Sequence, residues 1–263
     1  GWRLDVANML GRQGATQLGV EVARAIRQAV KETAPQAYLM GENFFDATSQ
    51  LQGDQWDGVM NYMGFSSPLL HWLRGYRVGS WGLKEPVTSP LPYPTAALAA
   101  TWQLRQAGIP WVVAQQQYNL LGSHDTPRVR SQLHGNDALH RLAVALLLTF
   151  PGVPGLYYGD ETGMQDTPAL GQRACMQWDQ SRWDLDLLAF HRDLIALRRR
   201  SPILQRGGFQ VLAVEEHLLA YQREGLEGRI LVIAQRSDQP RPAGGLPVRH
   251  GGIPDGACFR EHF

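Results

Sequence analysis

Apolar and polar positions follow one another in a way that predicts short strands followed by helices along most of the chain. The predicted strands occupy residues 1–6, 38–41, 58–61, 118–121 and 155–158. Apolar residues at every third or fourth position predict helices over 15–32, 66–82, 94–107, 137–150 and 186–200, with a proline-rich loop at 86–94. Strands that alternate with helices form parallel sheets, so the pattern predicts an α/β fold.

The pattern changes after Pro202. Residues 208–263 alternate between apolar and polar positions, with glycine and proline between the short runs, which is typical of a small antiparallel β domain. We therefore expect two domains, at residues 1–203 and 204–263. The first contains too few strand–helix units for a closed (β/α)8 barrel, which has eight strands, and is expected to be part of such a barrel.

Composition and charge exclude several classes of protein. The net charge is +1 at pH 7, and no run of Lys or Arg suggests nucleic-acid binding, so we expect no nucleic-acid partner. The longest apolar run, at 142–150, is too short to span a membrane, and no membrane partner is expected. Cys175 and Cys258 lie far apart without metal-ligand spacing, so we expect no disulfide framework and no zinc site.

Polar and acidic side chains recur where the predicted strands end. They are Asp5, Glu42, His124 with Asp125, and Asp160 with Glu161. In (β/α)8 enzymes the active site lies at the carboxyl ends of the strands. Two closely spaced carboxyl groups at such a site are sufficient for glycoside hydrolysis with retention of configuration.

Each of these signals also has a structural explanation. Asp5 alone is typical of a helix N-cap, Glu42 of a solvated turn, and His124 with Asp125 of a turn or cap. Alternation along the first strand places Arg3 on the same side as Asp5, which favours an ion pair that keeps Asp5 ionised. For Asp160 with Glu161 we prefer the structural interpretation. Core packing is likewise the more common role for the aromatic residues Trp56, Tyr62, Trp72 and Tyr158.

Four segments, taken together and in order, resemble motifs of the α-amylase family of glycoside hydrolases. They are GWRLDVAN at 1–8, LMGEN at 39–43, LGSHDTPR at 121–128 and FPGVPGLYYGDETG at 150–163. They are similar to the family's motifs on the fourth, fifth, seventh and eighth barrel strands. Arg173 and the segment MQWD at 176–179 resemble the group of maltodextrin glucosidases, neopullulanases and cyclomaltodextrinases.

The resemblance implies a role for each matching residue. Asp5 falls on the nucleophile, Glu42 on the general acid/base and Asp125 on the residue that stabilises the transition state. The substrate-binding candidates are Arg3, Asn8, His124 and Arg128. The implied reaction is double displacement on α-1,4-glucosidic bonds of maltodextrins or related α-glucans.

The family motif at the end of the third strand is absent from the chain, as are the first three strands. We therefore expect the chain to be a C-terminal part of such an enzyme, with strands four to eight, and to be inactive or nearly so alone. The resemblance implies no cofactor, and calcium has no support in the sequence. A cytoplasmic location is expected, whereas the oligomeric state is not indicated.

Three other interpretations stay open. Glucan transfer, in which a sugar replaces water as the acceptor, has the same carboxylates as hydrolysis. A non-catalytic carbohydrate-binding or scaffold protein can share the fold, although such relatives lack some of the carboxylates. A metal-dependent barrel enzyme could use the carboxylates and His124 as ligands.

Overall fold

The computed structural model of the chain describes residues 1–79, 87–241 and 244–263. Helices α1 to α8 run over Gly19–Thr33, Ser67–Arg74, Thr95–Ala107, Trp111–Ala114, Val129–Gln132, Asp137–Thr149, Leu185–Arg200 and Pro202–Arg206. Strands β1 to β12 run over Trp2–Leu4, Arg12–Gln13, Thr16–Gln17, Leu39–Gly41, Gly58–Val59, Tyr76–Gly79, Val87–Pro92, Tyr118–Leu120, Val153–Gly155, Gly208–Val214, Leu218–Gly225 and Gly228–Gln235. No helix in these residues is both long enough and apolar enough to cross a membrane.

Strands β1, β4, β5, β8 and β9 lie side by side in one parallel row, in the order in which they occur along the chain. A parallel bridge between Met60 and Tyr118 joins the half of the row that ends at β5 to the half that begins at β8. The backbone N–H of Asn61 also donates to the carbonyl of Tyr118 at 2.9 Å. The carboxyl ends of all these strands therefore face one edge of the sheet.

The predicted parallel strands are confirmed, with a shift in the last one. Strand β9 covers Val153–Gly155 rather than 155–158, and its register pairs Pro154 with Asn119. Proline lacks an N–H and is tolerated in a strand with only one neighbour. Within the described residues β9 pairs with β8 alone, which explains why this proline does not interrupt the strand.

Two predictions around residues 66–94 are wrong in part. The helix predicted over 66–82 ends at Arg74 because Gly75 adopts a left-handed conformation with φ of 83°. The chain then forms strand β6, which pairs with β7, so the loop predicted at 86–94 is a strand over Val87–Pro92. Residues 80–82 and residue 86 lie outside the described part of the chain.

The antiparallel β sheet predicted after Pro202 is confirmed for strands β10, β11 and β12. Tyr221 from β11 packs into the same apolar core as Trp102 from α3 and Phe150 at the end of α6. The prediction extends the sheet too far, since the described residues 244–263 contain only a short 3-10 turn. The proposed division at residues 203 and 204 stays a prediction.

Candidate functional site

Arg3 joins the first two candidate carboxylates. It lies in β1, directly beside β4, and its register partner is Met40. One guanidinium nitrogen of Arg3 donates to Asp5, and the other, Nη2, lies 2.6 Å from Oε1 of Glu42. The Asp5 side chain is 75% exposed, whereas that of Glu42 is only 4% exposed. The carboxylate of Asp5 is therefore accessible to an incoming molecule, whereas that of Glu42 is buried beside Arg3.

The backbone after Asp5 also contacts Glu42. The N–H of Val6 donates to Oε2 of Glu42 at 2.8 Å. Val6 has φ of 41° and ψ of 47°, in the left-handed region that β-branched residues rarely adopt. This conformation turns the chain sharply after β1 and begins the 3-10 turn Ala7–Met9, in which Asn8 is half-buried. Both oxygens of Glu42 are consequently fixed, one by Arg3 and one by the backbone.

A second cluster surrounds Asp125 in the loop after β8. Its Oδ2 lies 2.9 Å from Nε2 of His124, and its Oδ1 accepts a hydrogen bond of 2.7 Å from Nη2 of Arg173. The carbonyl of His124 accepts two further bonds, from Nε of Arg173 at 2.8 Å and from Nε2 of Gln172 at 2.7 Å. The loop that carries Asp125 is thus held by the segment 172–173.

Tyr62 contacts the loop of the Asp125 cluster. Its hydroxyl donates to Oγ of Ser123 at 2.8 Å. Oγ of Ser123 in turn accepts a hydrogen bond from the backbone N–H of Asp125 at 3.1 Å. Burial raises the pKa of Tyr62 to about 12, and the negative charges of Asp125 and Glu42 act in the same direction. The charges of both Asp125 and Glu42 therefore act on the buried hydroxyl of Tyr62.

Arg128 is fully enclosed, unlike Arg3, Asp5 and His124. None of its side chain is exposed, and its Nη1 donates to the carbonyl of Tyr158 and to Oδ1 of Asp160. Burial raises the pKa of Asp160 to about 7, while Arg128 opposes that rise. Asp160 is thus part of the protein interior, in agreement with the structural role that its sequence context favours.

Tyr62, Ser123 and Arg173 contribute to this arrangement but are not among the site residues predicted from the sequence. Tyr62, Trp56 and Trp72 are fully buried, as predicted for core aromatic residues. The same prediction is wrong for Tyr158, which is 40% exposed. Ser123 precedes a recognised motif pair, and Arg173 marks a subgroup of the family. Tyr62 reaches Ser123, and Arg173 reaches Asp125, from distant parts of the chain, so spacing along the sequence does not reveal these contacts.

The described residues contain no group of three or more His, Cys, Asp or Glu side chains arranged to hold a metal ion. The site consists instead of carboxylates, two arginines and a histidine at the carboxyl ends of parallel strands. That combination of fold and chemistry is typical of barrel enzymes that cleave glycosidic bonds.

Comparisons with known proteins agree with this class. The family model of the alpha-amylase catalytic domain matches residues 1–193. A cyclomaltodextrinase from Bacillus sp. is 34% identical over 238 residues, which is 89% of this chain and 38% of that protein. Neopullulanase 2 from Thermoactinomyces vulgaris is 35% identical over 207 residues, which is 79% of this chain and 31% of that protein.

Solved structures give the same result. The debranching enzyme of Nostoc punctiforme superposes with a TM-score of 0.77 at 32% identity, over 90% of this chain and 48% of that one. The chain therefore belongs to the α-amylase family of glycoside hydrolases, which confirms the resemblance seen in its motifs. It spans less than half the length of these relatives.

Proposed function

We propose that the chain supplies the catalytic carboxylates of a retaining glycoside hydrolase that cleaves α-1,4-glucosidic bonds in maltodextrins or related α-glucans. The observation that carries the proposal is the contact of one guanidinium group, that of Arg3, with both Asp5 and Glu42. Retention requires two carboxyl groups close together, one as nucleophile and one as acid and base. The shared contact with one guanidinium supports such an arrangement of Asp5 and Glu42.

In the first step, Glu42 gives its proton to the glycosidic oxygen while Asp5 attacks the anomeric carbon. The bond between that carbon and the leaving oxygen breaks, and an ester between the sugar and Asp5 forms. The positive charge of Arg3 lies against the Asp5 carboxylate and partly compensates its negative charge. Oδ1 of Asp5 receives the hydrogen bond from Arg3, so Oδ2 is the better placed nucleophile.

In the second step, the ionised Glu42 removes a proton from water, and the resulting hydroxide attacks the anomeric carbon. The ester bond breaks, which regenerates the Asp5 carboxylate, and the product keeps the configuration of the substrate. Asp125 stabilises the positive charge that develops on the sugar, and His124 binds a sugar hydroxyl. Asn8, which follows Asp5 in the same turn, is a further candidate for substrate binding.

We also propose that β1, β4, β5, β8 and β9 are the fourth to eighth strands of a barrel, followed by a β domain from residue 204. The order of these strands in the row and the order of the four motifs support this assignment. Trp2 on β1 is 67% exposed and Val153 on β9 is 45% exposed, so both edges of the row present apolar side chains to solvent. We expect the 263-residue chain alone to have little or no activity, because such edges require a covering layer.

The test is an activity assay on the full-length gene product that contains this chain, with maltotriose and a cyclic α-1,4-glucan as substrates. We expect hydrolysis with an α-anomeric product at early times by NMR. Asp5→Asn and Glu42→Gln should each lower kcat by more than about 10³-fold. Asp54→Asn is the matched control, because Asp54 is a surface carboxylate paired with Arg24 and is expected to matter little.

A β-anomeric product or full activity of Asp5→Asn would overturn the proposal. Loss of activity with a chelator and its return with a divalent ion would favour the metal-dependent alternative. Longer oligosaccharides among the products would identify glucan transfer. Binding of maltotriose without any turnover would favour a carbohydrate-binding protein on the same fold.

A further inference from the structure

The guanidinium of Arg128 is enclosed by the protein and bonds to groups of the chain itself. Its Nη1 donates to the carbonyl of Tyr158 at 2.6 Å and to Oδ1 of Asp160 at 3.2 Å. The backbone N–H of Arg128 donates to Oδ1 of Asp166 at 3.0 Å. With no exposed surface, the side chain cannot reach a sugar in the cleft without a rearrangement of its surroundings.

Two tyrosine rings enclose the same guanidinium. Its central carbon lies 4.7 Å from the ring centre of Tyr157 and 4.8 Å from that of Tyr158. The two ring centres are 4.6 Å apart with an angle of 56° between the planes. A cation within about 6 Å of an aromatic ring is attracted to the face of that ring. Arg128 therefore fixes the orientation of both rings at once.

The hydroxyl groups of these tyrosines hold the backbone on either side of Arg173. Tyr157 donates to the carbonyl of Gln172 at 3.1 Å, and Tyr158 donates to the carbonyl of Ala174 at 2.7 Å. Arg173 in turn donates to Oδ1 of Asp125. A continuous series of contacts thus runs from the buried guanidinium, through two rigid rings, to the carboxylate of Asp125.

Asp160 links the guanidinium to the other end of the Asp125 loop. A Cβ atom built on Gly122 would lie 3.5 Å from Oδ2 of Asp160. The Arg128–Asp160 pair is therefore packed directly behind Gly122, which precedes Ser123 and His124. The loop is supported at its base by this pair and at its tip by Arg173.

We propose that Arg128 is a positioning residue, which sets the orientation of Asp125 through Tyr157, Tyr158 and Arg173. This proposal rests on the proposed function, in which Asp125 stabilises the transition state. Arg128 touches no sugar atom in this role. Its removal would act on the chemical step rather than on substrate affinity, because Asp125 makes its strongest interaction in the transition state.

The sharpest test removes one hydroxyl rather than the buried charge. Tyr158→Phe keeps the ring that faces Arg128 but loses the bond to Ala174. We expect kcat of the full-length gene product to fall about fivefold, as one neutral hydrogen bond implies, with KM little changed. Tyr221→Phe is the matched control, since that tyrosine also donates or accepts a buried bond, to Thr149, but lies in the core beside β11.

A double-mutant cycle decides whether the effect passes through Arg173. If it does, Tyr158→Phe combined with Arg173→Ala should be no slower than Arg173→Ala alone. If kcat of the double variant falls by the product of the two single-variant factors, the proposal is wrong. Arg128→Lys should lower kcat at constant KM by about tenfold, because an ammonium group cannot contact both rings and both acceptors. An increase in KM without loss of kcat would instead assign Arg128 to substrate binding.

A second measurement is independent of catalysis and uses the same full-length gene product. The backbone N–H of Asp125 is bonded to Ser123, and its hydrogen exchange reports opening of the loop. We expect exchange at Asp125 to accelerate about fivefold in Tyr158→Phe and to be unchanged in Tyr221→Phe. Faster exchange in an enzyme that does not cleave α-glucans would retain the positioning link and refute the proposed function. Unchanged exchange would refute the link itself.

Discussion

The Nη2 atom of Arg3 lies 2.6 Å from Oε1 of Glu42, although the two residues belong to different strands. The parallel register of β1 and β4 produces this contact, since it places Leu4 opposite Gly41, immediately before Asp5 and Glu42. Two carboxyl groups that repel each other are therefore joined by one cation. The carboxylates of Asp5 and Glu42 thus share Arg3 as a contact.

Arg3→Lys tests this bridge. Lysine keeps the positive charge, but its ammonium group is a single point and cannot replace a planar fork with two contacts. We expect kcat to fall by at least about tenfold in the full-length gene product, with the fold unchanged by circular dichroism. Arg12→Lys, at an exposed position of β2, is the control. Equal activity of wild type and Arg3→Lys would show that charge alone is sufficient.

A second prediction concerns the strained backbone at Val6. A β-branched residue in the left-handed region costs about 1–3 kcal/mol, and the Val6 side chain is 47% exposed, so it recovers little of that cost by packing. Asparagine tolerates this conformation and keeps the N–H that Glu42 accepts. We expect Val6→Asn to raise the free energy of unfolding by about 1 kcal/mol in urea titrations.

Val20→Asn is the matched control for this substitution. Val20 is 44% exposed but lies in the first turn of α1, where valine and asparagine have similar propensities. Its free energy of unfolding should change by less than about 0.5 kcal/mol. If both variants lose stability equally, the left-handed conformation of Val6 carries no strain.

The sequence predicts well those features that depend on neighbours along the chain. The periodicity of apolar residues places α1, α3, α6 and α7 within a few residues of their observed ends. Alternation in β1 also predicts the contact between Arg3 and Asp5 correctly. In both cases the physical cause, the repeat of a helix or strand, can be read over a few consecutive positions.

Features that depend on distant neighbours could not be predicted in this way. Sequence spacing does not reveal that Tyr62 reaches Ser123, or that Arg173 reaches Asp125, because those contacts depend on how separate loops pack. The enclosure of Arg128 is a similar case, since its motif suggests substrate binding whereas the burial depends on Tyr157 and Tyr158. The role of a residue at the site therefore depends on its spatial contacts as well as on the motif that contains it.

A third prediction concerns Arg223, whose side chain is fully buried and forms no ion pair with a carboxylate of the described residues. It donates to the carbonyls of Thr149 at 2.6 Å, Leu204 at 3.0 Å, Gly207 at 2.8 Å and Gly208 at 2.9 Å. Thr149 is the last residue of α6, where a cation interacts favourably with the helix dipole. The guanidinium of Arg223 thus joins strand β11 of the antiparallel sheet to helices α6 and α8.

Arg223→Lys should destabilise the 263-residue chain by about 2–4 kcal/mol, because an ammonium group cannot satisfy all of these carbonyls and leaves buried acceptors unpaired. Urea unfolding followed by tryptophan fluorescence measures the change. Arg229→Lys, on an adjacent strand in a partly exposed pair with Glu224, should cost less than about 0.5 kcal/mol. A similar loss in both variants would mean that the carbonyl contacts of Arg223 add nothing specific.

The last prediction concerns acid stability and two buried histidines. His140 on α6 and His191 on α7 are both fully enclosed, with ring centres 6.2 Å apart. Burial lowers the pKa of His140 to about 3, and the neighbouring His191 and Arg130 act in the same direction, while Asp184 opposes them. Burial also lowers the pKa of His191, whereas its bond to the Leu187 carbonyl and the charge of Glu161 oppose that change.

The sign of the effect follows from proton binding. The unfolded chain binds a proton at His140 near pH 6.5, whereas the folded chain does so only near pH 3. Stability from this residue is therefore complete above pH 6.5 and is lost as the pH falls toward 3. Between pH 6.5 and 4.5 the loss should reach about 2 kcal/mol for His140.

His140→Leu removes the titrating group and fills the same apolar space. Urea unfolding at pH 6.5 and pH 4.5 should show a drop in stability for the wild type that is about 2 kcal/mol larger than for this variant. His262→Leu, which changes an exposed histidine near the end of the described chain, should retain the wild-type drop. Parallel pH profiles for the wild type and His140→Leu would mean that His140 is protonated in the folded protein at pH 4.5, against the burial that the structure shows.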